Sequence, residues 1–145
     1  MNYLSCLCAL FLVLPYTQAQ HHSSIDYSVI DSLIKGCRQN IKRDADKGIQ
    51  LALKASQLSG QVDSMSASYL LSACFFYKHK KDYPAAFECC HKAMAMYAQT
   101  CGKETAAYAK ALLYLSRLYY ATNALEQTFQ TLKEIRQIRA EVFGT

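Results

Sequence analysis

Cys89-Cys90-His91 is the tripeptide here that comes closest to a reactive centre, because a thiolate beside an imidazole can attack an electrophile or bind zinc. Its spacing argues against both. Consecutive helical residues point about 100° apart, whereas two groups that share a site on one helix stand at i and i+4. Cys90 is expected to face a core and His91 to lean outward. Cys74 would lie on the facing helix, where a disulfide to Cys90 is open. His21-His22 resembles a scrap of metal-binding tail and reads better as a loose polar start. Asp44 and Asp46, or Glu126 and Glu134, lack any spacing that singles out acid–base work. There is no glycine-rich phosphate loop, HExxH or GxSxG. Enzymatic chemistry is not expected, and neither is a cofactor or a metal.

The elements that would carry these residues are helices. The chain has 145 residues and is 52% hydrophobic, with only two prolines and five glycines to punctuate strands. Gly60, Gly102 and Gly144 recur every 42 residues, and the segments 61–102 and 103–144 align without gaps. Identities fall at Ala67/Ala109, Leu70/Leu112, Leu71/Leu113, Tyr77/Tyr119, Phe87/Phe129 and Ala98/Ala140, besides the glycines. Ala67, Leu70, Leu71, Cys74 and Tyr77 mark one face of a helix from about Ser64 to Lys80. Lys81-Asp82-Tyr83-Pro84 breaks it, with Asp82 as a cap and Pro84 suited to a first turn. A second helix follows from about Pro84 to Thr100, with Phe87, Cys90, Ala93, Met94 and Tyr97 inward. The next unit repeats the plan, with one helix over about Glu104 to Ala121 and another that Asn123 caps, running to about Val142. Upstream, Ile25 to Lys35 and Asp44 to Ser59 read as a divergent first unit joined irregularly through Gly36–Ile41. Connections this short make each unit an antiparallel hairpin.

The stretch KKDYPAAFECCHKAM resembles the turn and second helix of a tetratricopeptide repeat. The 42-residue period and the ending AEVFG are similar to the longer kinesin-light-chain-like subgroup. The family places a small residue midway along the first helix and a large aromatic three positions on; Cys74 and Tyr77, and Ser116 and Tyr119, match. It wants small residues early and late in the second helix; Ala86 and Ala93 match, while Thr128 and Ile135 depart. HEAT or armadillo repeats have a compatible period, and the Asp-Tyr turn favours the tetratricopeptide reading. The resemblance covers Ile25 to Gly144, most strongly from Met65 onward. It implies an all-α solenoid of about three hairpins, at 25–60, 61–102 and 103–144.

Such a stack presents an inner surface lined by first helices, which in this family receives a peptide or a partner's helix. The resemblance carries that role onto Ser68, Leu71, Ser72, Phe75, Lys78 and His79, and onto Lys110, Leu113, Tyr114, Arg117 and Tyr120. Cations among aromatics would suit a protein or peptide ligand with acidic groups or a free C-terminal carboxylate. The bland alternative is that Leu71, Phe75, Leu113 and Tyr114 are core between hairpins. The expected function is therefore a protein-binding scaffold, the alternative being the N-terminal sensory or regulatory part of a larger signalling or protease protein. An open end after the last repeat would also invite self-association.

Three further expectations concern compartment and charge. Tyr3 to Pro15 is almost wholly apolar and Thr17-Gln18-Ala19 supplies small residues before a cleavage point, so 1–19 reads as a signal peptide and 20–24 as a flexible tail. No Lys or Arg precedes the apolar run, which leaves an uncleaved anchor as the rival. The protein is expected to be exported, periplasmic or secreted, with no membrane span after cleavage. The net charge of +5 is dispersed, which argues against a nucleic-acid partner. Cleavage would leave five cysteines, an odd number that suits small core residues better than a disulfide framework.

Overall fold

A computed structural model describes residues 26–60 and 63–144. The expected leader at 1–19, the tail at 20–24 and His21-His22 lie outside the described residues. The described residues form six helices: α1 (Tyr27–Gln39), α2 (Ile41–Leu58), α3 (Ser64–His79), α4 (Tyr83–Thr100), α5 (Ala106–Ala121) and α6 (Leu125–Phe143). No strand occurs among them. Each helix packs on the next in chain order, and α3 also touches α5.

The 42-residue period is visible in the backbone. The second helix of each hairpin opens at Ile41, Tyr83 or Leu125. Lys81 and Asn123, one period apart, both adopt a left-handed conformation, with φ of 62° and 61°. In each case the following amide reaches back five residues, from Asp82 to the Tyr77 carbonyl (3.0 Å) and from Ala124 to the Tyr119 carbonyl (2.8 Å). This turn folds the chain back and feeds the second helix. Gly60, Gly102 and Gly144 close the three units at positive φ, a region that glycine enters without steric cost.

Asp82 caps α4 as expected, its carboxylate accepting the Ala85 amide at 3.2 Å. Asp63 and Thr105 cap α3 and α5 in the same register. Asn123 does not cap α6. It holds the left-handed turn position, which asparagine tolerates better than most residues, and Ala124 stands where Asp82 stood, with no side chain to offer. Helix α5 begins at Ala106 rather than Glu104, because Thr105 is its cap. The irregular join expected over Gly36–Ile41 is also corrected. Helix α1 runs through Gly36 to Gln39, and α2 starts after Asn40, which accepts the Arg43 and Asp44 amides at 2.9 Å.

One contact sets the packing of the first unit on the second. Phe76 is fully buried, and its ring occupies the space that a Cβ on Gly48 would fill, 2.4 Å from that atom's position. Glycine in α2 is thus required by the ring of α3 and is no helix breaker. Gly36 has open space around it. Gly36→Ala should raise stability by up to about 1 kcal/mol through helix propensity alone. Gly48→Ala should lower it by about 1–2 kcal/mol, because overpacking against a buried ring exceeds that gain. Urea unfolding of the two variants separates the effects, and a stabilising Gly48→Ala would rule out the close approach.

Candidate functional site

Residues at i, i+3, i+4 and i+7 share one helix face. On α1 this rule groups Asp31, Ile34, Lys35 and Arg38; on α3 it groups Ser68, Leu71, Ser72 and Phe75; on α5 it groups Lys110, Tyr114 and Arg117. The fold gathers most of these into one cleft of about 290 Å³, lined by Asp31, Ile34, Lys35, Arg38, Ser68, Leu71, Ser72, Lys110 and Tyr114. Its floor is apolar, since Leu71 and Ile34 are buried. Its rim is charged.

Arg38 organises the α1 side. Its Nη2 donates to the Ser72 hydroxyl at 2.9 Å, and its guanidinium lies 4.8 Å from the centre of the Phe75 ring. Its Nε is buried without a hydrogen-bond partner. Ser72 in turn donates to the Ser68 carbonyl at 3.3 Å. Three cations, Lys35, Arg38 and Lys110, therefore line a cleft whose one carboxylate is Asp31. Burial, followed by the influence of that carboxylate, pushes the Tyr69 phenol up to about 12.

The structure brings together Ser68, Ser72, Lys110 and Tyr114 of the residues expected at the inner face, with Phe75 adjoining them through Arg38. It does not bring Lys78, Arg117 and Tyr120 into the cleft. Arg117 is exposed and lies 5.8 Å from the Tyr114 ring centre, and Tyr120 is 70% exposed. His79 sits against Phe75 at 4.6 Å, and burial followed by the Lys78 charge lowers its pKa. Leu113 is half-buried and Leu71 fully so, which makes Leu71 a core residue. Asp31, Lys35 and Arg38 are the residues that sequence reasoning missed. Reading α1 as ending at Lys35 left Arg38 in a supposed loop, although the 31–34–35–38 spacing was available.

A larger cleft of about 610 Å³ lies between α2, α3 and α4. Its one cation and its two serines are occupied: Ser56 and Ser66 bond each other at 2.7 Å, and Lys92 is paired with Glu88 at 2.6 Å. No convergent free charge points into it, so the smaller basic cleft is the better candidate.

The cysteines form part of the core. Cys37, Cys74, Cys89 and Cys90 are buried free thiols and Cys101 is exposed. Cys90 is fully buried and donates to the Ala111 carbonyl at 3.6 Å, joining α4 to α5, while His91 faces solvent. Hydrogen bonding to Cys90, followed by burial, holds the Cys74 thiol far above the ordinary thiol range. Burial pushes Cys89 up to about 11. Neutral, desolvated thiols are poor nucleophiles and poor ligands. Among the described residues no group of three or more His, Cys, Asp or Glu is arranged to hold a metal, and no helix is long and apolar enough to cross a membrane. No family model matches this chain, and no curated protein matches it.

The Cys74 and Cys89 thiols make stability depend on alkaline pH. In the unfolded chain they ionise near pH 9, whereas in the folded chain they stay protonated. The folded state then binds more protons, so their contribution is complete below about pH 9 and is lost as pH rises, by up to about 1.4 kcal/mol per pH unit for each. Urea midpoints should fall between about pH 9 and pH 11, and Cys74→Ala should flatten the slope relative to its own value at pH 7. A midpoint independent of pH over that range would mean the thiols reach solvent.

Proposed function

We propose that this chain is an exported scaffold of the tetratricopeptide type, which binds an extended peptide along the face shared by α1, α3 and α5. The observation that carries the reading is the basic cleft between those helices. Lys35 and Lys110 bring mobile ammonium groups from opposite walls, and Arg38 is held in place by Ser72 and Phe75. Tyr114 adds a rigid aromatic surface that loses little entropy on binding. The buried Arg38 Nε–H has no acceptor of its own, so an acceptor supplied by a ligand would offset its desolvation. Acidic side chains or a free C-terminal carboxylate fit this donor set.

Three helical hairpins in a common 42-residue register also agree with the resemblance of KKDYPAAFECCHKAM to a tetratricopeptide turn. Export rests on the apolar run and small-residue site before Gln20. A binding role asks nothing of the buried thiols.

Calorimetry with an acidic hexapeptide bearing a free carboxylate, and with its C-terminally amidated form, tests the reading. Lys35→Ala and Lys110→Ala should each weaken the acidic peptide by about tenfold, roughly 1.4 kcal/mol. Lys78→Ala with Arg117→Ala, outside the cleft, should weaken it by less than about threefold. Equal losses at both sets of positions, or no binding by either peptide, would refute the assignment.

A further inference from the structure

The outer face of α6 is an interaction surface whose occupant can be argued from the repeat itself. In the preceding unit the corresponding face of α4 holds α5: Phe87 packs on Tyr119 with ring centres 5.4 Å apart, and Cys90 bonds the Ala111 carbonyl. One period later the same positions are Phe129 and Leu132, and they are 68% and 43% exposed. Leu125, a helical turn earlier, is 49% exposed. These three residues follow the alternating four- and three-residue spacing of a helix–helix seam, on a helix of nineteen residues. Among the described residues nothing covers them.

We propose that a second copy of this chain fills this face, with the two α6 helices packed antiparallel about a two-fold axis near Phe129. The charges on the edge of the seam select this occupant. Glu126 and Lys133 stand seven residues apart, so both lie on one edge of the helix, and neither takes part in an ion pair within the described residues. Reversing one helix over the other about a point just after Phe129 sets Glu126 of each copy opposite Lys133 of its partner and lays the apolar rows of Leu125, Phe129 and Leu132 on one another. The surface is self-complementary, as an isologous interface requires, and the opposed helix dipoles add to it. A parallel two-fold pair would set this edge against the opposite edge of the partner helix, where Thr128 and Ile135 offer no charge to either group.

Sedimentation velocity of the full chain over a concentration series tests this. A reversible monomer–dimer equilibrium is expected. Phe129→Ala should weaken it by about tenfold or more. Glu126→Lys should weaken it by about threefold or more, and Glu126→Lys combined with Lys133→Glu should restore it. The two charge variants touch no core residue, so they decide the matter even if Phe129→Ala fails a circular dichroism check. A monomer at every concentration, an open-ended assembly, or a dimer indifferent to both Phe129→Ala and the charge changes would overturn the proposal.

Discussion

The burial of the Phe76 ring against the bare backbone of Gly48 is the contact on which the rest of the structure depends. It seats the second helix of the first hairpin on the first helix of the next. One period later the same two positions hold Cys90 and Leu118, both fully buried. As the residue on the second helix grows from glycine to cysteine, its counterpart shrinks from phenylalanine to leucine. Close packing demands such compensation, since a core at crystal-like density has no room for a larger pair. A third period puts Leu132 at this position, where the described chain supplies no helix to receive it.

Seating the hairpins in one register has a consequence for chemistry. The first helices α1, α3 and α5 end up side by side, so side chains about forty residues apart in sequence meet across one cleft. Arg38 and Ser72 are bonded although 34 positions separate them. The polar wall of the cleft therefore belongs to no single hairpin. It exists only when three are stacked, which is why a motif search along the chain finds little chemistry here.

Much of the helical architecture was legible because its signals are local. Asp82 and Pro84 announce the start of α4, and Gly60, Gly102 and Gly144 sit where helices end in a left-handed residue. What misled was also local. Gly36 read as part of an irregular join, yet it is neutral within a helix, and nothing local in the expected helix from Asp44 to Ser59 showed that Gly48 answers a ring 28 residues away. Asn123 is as good a cap as Asp82 in isolation; only its backbone, turned left-handed like Lys81, shows that the cap position had passed to Ala124. Of the candidate site, Ser68, Ser72, Lys110 and Tyr114 were named because the resemblance to a tetratricopeptide repeat, clear in the last two units, implied an inner face on their helices. Lys35 and Arg38 could not, because the phase of α1 relative to α3 is a property of packing and the first unit has diverged.

In the proposed binding mode the ligand lies between α1 and α5, over Tyr114, and not along the outer ends of the helices. The most direct measurement places the photoreactive residue p-benzoylphenylalanine at position 114 or, in a separate protein, at position 120, and irradiates each with the acidic hexapeptide. Saturable crosslinking at 114, competed by unlabelled peptide, is expected, with little at 120. Equal crosslinking at both positions, or a preference for 120, would contradict this binding mode.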